Sequence, residues 1–334
     1  MKLSILFFSA EFRADDPRSY DLVLEASRFA DAHGFHAVWL PERHFHAFGG
    51  IYPNPAIVAG VIASQTRNLR IRAGSVVLPL HHPVRIAEDW AMVDRLSGGR
   101  VDLSFSKGWN KSEFIFRTDV AGYDDDRMFA DIATVRALWN GAEKSFPTAT
   151  GEMRELTTYP RPVGSALSFW VSTFNEALYV RSAREGGSIL TGLLLQSPNQ
   201  LKAKIKSFRE AAAPGAQMTL MLHAFAGADD QQALEVVGKP FRAYLENSMT
   251  LWKQQEPRLD LSEAARQKVL DFAFARYLKE STLIGGMGMI EERLRFFKSI
   301  GVDEVACLLD FGAPADAILE SLSRLATVAE RLAD

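Results

Sequence analysis

An eight-stranded (β/α)8 TIM barrel is the fold class this sequence predicts. Three observations predict it. Short apolar runs alternate with amphipathic stretches from end to end. Glycine recurs where a helical stretch gives way to an apolar run. No G-x-G-x-x-G follows the first run, which argues against an open dinucleotide-binding sheet. The 334 residues suit one elaborated barrel.

The strand candidates, in order, are 3–9, 37–42, 69–78, 101–106, 169–173, 187–191, 218–226 and 302–310. Most are continuously apolar, the pattern of parallel strands covered on both faces. Between them, Leu22, Ala26, Phe29 and Ala30 share one helical face, as do Ile86, Trp90 and Val93, and later Ile290, Leu294 and Phe297. Asn54-Pro55 and His82-Pro83 place a capping side chain before a proline at the first helical position. Gly34, Gly98-Gly99, Gly186-Gly187 and Gly301 stand where a helix must end in a left-handed residue. Two stretches break the rhythm. Residues 141–165 read as a rim hairpin. Residues 229–285 exceed one crossover and read as a helical insertion before the last βα unit. With no linker or repeat, the expectation is a single domain over 1–334.

Hydrophobic residues make up 47% and the net charge is −3, so nothing favours nucleic acid or an anionic membrane as partner. Cys307, the only cysteine, lies in the apolar run VACLLD and reads as an inert core thiol in a reducing compartment. The N-terminus turns acidic without a cleavage pattern, and no apolar stretch is long enough to span a membrane. The expectation is a soluble, cytoplasmic protein.

Barrel chemistry sits at the C-terminal strand ends. There the sequence places Ser9, then Glu42-Arg43-His44-Phe45-His46, then Gly74-Ser75 and His81-His82. Further along come Lys107-Gly108-Trp109-Asn110, Ser172-Thr173, Thr191-Gly192-Leu193 and Asp310-Phe311. Hydroxyls, cations, imidazoles and aromatics on one rim suit a planar cofactor with a phosphate tail. Taken singly, each has a plainer reading: a loop lysine beside a rim tryptophan, an ordinary N-cap, a hydrogen-bonded His-x-His pair.

The segments GFHAVWLPERHFHAFGG and LRIRAGSVVLPLHHPVRIAEDWAMVDRLSGGRVDLSFSKGW, in that order, resemble the opening half of the bacterial-luciferase-like flavin-dependent monooxygenases. GSILTGLLLQS resembles a later strand and loop of that family. FSKGWNKSEF and GYDDDRMFADIATVRALWNG look closest to its natural-product-biosynthesis subgroup. The resemblance implies a barrel binding reduced FMN, which a separate flavin reductase delivers. It further implies O2 as co-substrate and a C4a-peroxyflavin that hydroxylates or inserts oxygen into an organic, carrier-bound or free intermediate. It implies a non-prolyl cis peptide at Gly74-Ser75 and phosphate contacts from Lys107, Ser172 and Thr173. Ser9, Trp109 and Thr191 to Leu193 would complete the cofactor site. Arg43, His44 and Asn110 would face the reaction, and Phe8, Phe45, Phe48, Trp109 and Phe174 would form a dry wall. Where the luciferases proper carry two adjacent histidines after the glutamate, this chain has Arg43 and His44, so light emission is not implied. Family members often have Arg at the Lys107 position, and this subgroup often has His at the Asn110 position. Dimerisation is common in the family, and apolar outer helix faces allow a homodimer. No metal is expected. The alternatives are a metal-dependent hydrolase built on His44, His46, Lys107 and Asp310, a non-catalytic flavin-binding protein, and a deazaflavin enzyme.

Overall fold

The structure is a computed structural model that describes residues 1–8, 18–117, 120, 122–164, 166–255, 271 and 274–333. Ser9 lies outside the described residues. The barrel strands are β1 (Lys2–Leu6), β2 (Ala37–Leu40), β3 (Arg70–Val77), β4 (Val101–Ser106), β7 (Phe169–Ser172), β8 (Ser188–Gly192), β9 (Met218–Gly227) and β11 (Glu304–Leu308). Each pairs in parallel with its neighbours, β9 closing on β8 and β11 on β1, so the sheet is a closed eight-stranded barrel. A rim hairpin, β5 (Lys144–Pro147) and β6 (Met153–Leu156), falls within the stretch expected to hold one.

The helices are α1 (Asp21–Ala32), α2 (Pro55–Gln65), α3 (Pro83–Ser97), α4 (Asp125–Trp139), α5 (Glu176–Arg184) and α6 (Pro198–Ala211), followed by α7 (Asp230–Gln255), α8 (Met287–Ser299) and α9 (Ala315–Ala333). Asn54 and His82 accept hydrogen bonds from Ala56 and Val84 N–H and cap α2 and α3. Gly98, which ends α3, has φ +72°, a conformation open to glycine at no steric cost.

The insertion differs from the helical expectation in one respect. After α7 and a helical stretch at 274–280, a short strand β10 (Leu283–Gly286) pairs with the upper half of β9. Its sequence, LIGG, is too short and too rich in glycine to register as a strand. It extends the sheet above the barrel, and α7 packs against that extension. Ala233, Val237, Phe241 and Tyr244 of α7 join Leu6, Trp39, Trp170 and Leu308 in one apolar cluster. This helix therefore covers the mouth rather than the outer wall.

Strand alternation separates two cores. Leu3, Ile5, Val38, Ile71, Leu103, Val171 and Val305 face the helices. Toward the lumen, the lower barrel is filled by charge. Arg72 is 1% exposed and donates to Asp102 (2.9 Å) and Glu304 (2.6 Å). Its guanidinium lies 4.8 Å from the Trp39 ring and 4.4 Å from that of Trp170. Trp39 Nε1–H and Ser4 Oγ–H both donate to Glu304, at 2.9 and 2.6 Å. Burial pushes the Glu304 and Asp102 carboxyls up, but the arginines outweigh it and hold both below the usual range.

His36 at the edge of this cluster has an acid-side consequence. Burial, then the Arg72 charge, lowers its imidazole from 6.5 to about 4. Between those values the unfolded chain binds a proton that the folded chain does not. Stability therefore falls as pH drops from about 6.5 toward 4 and is insensitive to this group above that window. Chemical denaturation at stepped pH should show this slope, and His36→Gln should reduce it by up to one proton.

Candidate active site

The chain leaves β2 through Pro41 and Glu42 and places Arg43 at the barrel mouth. Arg43 is only 5% exposed. Its guanidinium carbon lies 4.3 Å from the Phe8 ring centroid, 5.2 Å from Phe48 and 5.7 Å from Trp109. It makes no ion pair or side-chain hydrogen bond among the described residues, and its Nε is buried without a partner. Gly49, at φ +76°, makes this seat: a Cβ there would fall 2.5 Å from Arg43 Cδ and 2.8 Å from the Phe8 carbonyl oxygen. Burial lowers the Arg43 pKa, while Tyr244, Glu113 and Asp310 act in the opposite direction without bonding to it. Asp310 instead accepts from Phe8 N–H (2.8 Å) and the Tyr52 hydroxyl (3.3 Å). A buried cation lacking a counter-ion costs several kcal/mol. Such a cost is tolerated where a ligand supplies the partner.

Beside Arg43 lies a carboxylate–imidazole network. Glu42 Oε1 accepts from His44 Nε2 (3.1 Å) and His81 Nε2 (2.5 Å), and Oε2 accepts from Val77 N–H (2.8 Å). Burial pushes the Glu42 carboxyl up, but these hydrogen bonds bring it below its ordinary value. An ionised Glu42 only accepts, so His44 carries its proton on Nε2 and keeps Nδ1 as the basic nitrogen. Glu113 accepts from His44 N–H at 3.2 Å. Burial raises its pKa, against the pull of that N–H and of Arg43. Asn110 is buried, and its side-chain oxygen caps the following 3-10 turn through Ser112 N–H.

The Gly74–Ser75 peptide is cis. Gly74 packs on Trp39, whose Cβ and Cε3 would each stand 3.3 Å from an added Cβ. At the ends of β7 and β8, Ser172 shares a hydrogen bond with Ser104 (2.8 Å), and Thr173 Oγ1 accepts from Asn175 N–H (3.0 Å). Gln196 donates to Thr191 Oγ1 (3.0 Å) and to the Gly192 carbonyl (2.8 Å). Lys204 donates to the Phe174 carbonyl (2.6 Å) and to Gln196 Oε1 (2.9 Å). The Leu193 side chain is in the helix-facing core, so only its backbone borders the rim.

The structure thus gathers Arg43, Phe8, Phe48 and Trp109 into one cage and His44 with Glu42 and His81 into another. One expectation comes out differently. Phe45 has φ +58°, is 57% exposed and stacks on Phe116, so it faces away from the dry wall. Lys107 pairs with Asp125 at the start of α4. Sequence reasoning missed the hub role of Glu42, the buried Glu113 and His223. The first two had a signal in the charged residues flanking His44 and Asn110. No three His, Cys, Asp or Glu residues converge on a metal position among the described residues, which leaves the hydrolase alternative without a ligand set there.

Comparison with known proteins follows the same lines. The flavin-dependent trigonelline monooxygenase oxygenase component of Acinetobacter baylyi is 23% identical over 326 residues, covering 92% of this chain and 88% of that one. Monooxygenase RslO1 of Streptomyces bottropensis superposes with a TM-score of 0.80 at 20% identity over 100% of both chains. The oxygenating constituent of 3,6-diketocamphane monooxygenase from Pseudomonas putida, a type II Baeyer–Villiger monooxygenase in complex with FMN, superposes at 0.78 with 15% identity, over 98% of this chain and 96% of that one. The luciferase-like monooxygenase profile matches residues 1–304, and the chain belongs to that family.

Proposed function

We propose that this protein is the oxygenase component of a two-component, FMN-dependent monooxygenase. It would take reduced FMN from a separate reductase and, with O2, hydroxylate or insert oxygen into an organic natural-product intermediate. The observation that carries this reading is Arg43, a buried cation with no counter-ion among the described residues, walled by three aromatic rings. A flat, electron-rich anion such as reduced FMN fits that environment.

Gly74, Ser75 and Trp109 would bound the ring, and Ser172, Thr173, Thr191 and the Gly192–Leu193 backbone would hold the tail. Lys107 would join by exchanging Asp125 for phosphate. When bound, reduced FMN supplies the electrons that activate O2. The chain's own part is positioning and exclusion. Arg43 orients and polarises a substrate oxygen, and His44, fixed by Glu42, takes or returns a proton at Nδ1. Asn110 holds the adjacent turn, and Phe8, Phe48 and Trp109 exclude water.

Anaerobic titration of tryptophan fluorescence tests the assignment. Reduced FMN should quench saturably and bind at least about tenfold tighter than oxidised FMN, because Arg43 favours the anion. Equal affinity for both, or preference for a reduced deazaflavin, would overturn it. That trigonelline monooxygenase is an oxygenase component supports the separate reductase. The likeness of FSKGWNKSEF to the natural-product subgroup supports a carrier-bound acyl substrate, with docking on the 229–285 segment.

A homodimer completes the reading. α2 is apolar around its whole circumference: Val58, Ala59 and Ile62 face the core, yet Ile57 and Val61 are 68% and 41% exposed. Met92 and Leu96 of the adjoining α3 add exposures of 54% and 61%. A helix apolar on every side is normally buried on every side. Sedimentation should find a dimer at micromolar concentration and a monomer for Ile57→Asp/Leu96→Asp, with the far-ultraviolet spectrum unchanged.

A further inference from the structure

β9 carries a histidine that the chemistry above does not use. His223 is 2% exposed, and its Nε2 is buried with no hydrogen-bond partner among the described residues. Four rings enclose it: Tyr244 at 4.4 Å, Phe241 at 5.0 Å, Phe311 at 5.4 Å and Tyr277 at 5.7 Å between centroids. An apolar side chain would fill this box without stranding a polar nitrogen, so the imidazole costs folding free energy where it stands.

Two of those rings, Tyr244 and Phe311, also wall a cleft of about 750 Å³ between α1, α7 and the segment after β11. Phe48 and Tyr52 line the same cleft. The His223 ring is therefore separated from an open cavity by the Tyr244 ring, and the Phe48 ring links that cavity to the Arg43 cage. We propose that His223 recognises a neutral carbonyl, amide or hydroxyl group on an otherwise aromatic or aliphatic substrate, which enters through this cleft past the Tyr244 ring.

Charge decides the ligand class. Burial pushes His223 down to about 3 and raises Tyr244 and Tyr277 far above the phenolic range, so the box is uncharged at neutral pH. A carboxylate or ammonium placed there would be desolvated without a counter-ion. A neutral polar group gains the missing hydrogen bond at no such cost. Charged ends of a substrate find partners along the cleft rather than in the box, at Arg18, Asp21, Glu25, Lys239 and Asp310.

The proposal rests on the oxygenase reading only in naming the ligand a substrate, and its test needs no flavin. Protein with ¹⁵N-labelled histidine rings would be titrated with benzamide, benzoate and benzylamine, probes that differ chiefly in charge. His223→Phe, which suits the aromatic box, identifies the His223 signals by their loss, and His223→Gln serves if that variant does not fold. Benzamide should shift the His223 signals saturably, with benzoate and benzylamine at least about tenfold weaker, and His223→Phe should weaken benzamide about tenfold. No shift with benzamide, or an equal shift with benzoate, would overturn the proposal. Titrating reduced FMN into the same sample separates the two readings. Flavin binding without a benzamide shift sinks this one alone, and a benzamide shift without flavin binding sinks the flavin reading alone.

Discussion

Arg43→Met should lower turnover with reduced FMN and O2 by about 10²–10³-fold while leaving the protein as stable as before, or more so. The two effects share one cause. Arg43 is buried against Phe8, Phe48 and Trp109 and has no counter-ion among the described residues. In the folded protein without ligand it is a cost, and methionine of similar length removes that cost and keeps the contact with the rings. In the reaction it is the one charge inside the cage among the described residues, so its removal takes away stabilisation of any oxyanion that develops there. Arg43→Lys should recover little, because an ammonium neither stacks flat on the rings nor presents the guanidinium's fork of donors. Steady-state product formation and a thermal melt on the same preparations check both halves. A melting temperature several degrees lower for Arg43→Met would show that the cation is a structural element. Unchanged turnover would show that it takes no part in the chemistry.

The architecture was legible because its signals are local and repeat. Each of the eight barrel strands falls within or beside a predicted run, and Asn54-Pro55, His82-Pro83 and Gly98 act as the caps their residue types imply. What escaped was set by tertiary pairing. LIGG becomes β10 only because Ala224 to Gly227 of β9 offers a free edge above the barrel. At the site, Arg43 and Trp109 could be placed on one rim from their strand ends. Their meeting could not, since it depends on Gly49 leaving room for the guanidinium. The resemblance implies that Phe45, at the end of β2, is a wall residue, yet its positive φ turns the ring outward onto Phe116. His223 was hidden for the opposite reason. In the run MLHAFA it is one polar residue in an apolar strand, and nothing local tells that four distant rings will close over it.

Glu304→Ala should be the most damaging single change to stability, costing about 3–5 kcal/mol out of a typical total of 5–15. Glu304 is fully buried and accepts from Arg72, Trp39 and Ser4 at once. Without it, Arg72 and Arg70 share the single Asp102 carboxylate in the lower barrel, so a buried positive charge is left over. The cost lies in the unpaired charge rather than in the lost bond. Arg72→Met/Glu304→Leu should therefore recover much of it, since a well-packed apolar pair removes both charges together. Urea denaturation, followed by tryptophan fluorescence to which Trp39 and Trp170 beside Arg72 contribute, measures the effect. The acid dependence provides an independent check. Glu304 and Asp102 are held below their ordinary values in the folded state, so their contribution is complete above the unfolded carboxylate pKa. It is lost as pH falls through the lower folded values. Wild type should lose stability there beyond what His36 accounts for, and the Met/Leu double variant should lose the Glu304 part of that slope while keeping the part Asp102 owes to Arg70. If the double variant is no more stable than Glu304→Ala, the cluster is held by packing around Trp39 and Trp170 and not by its charge balance.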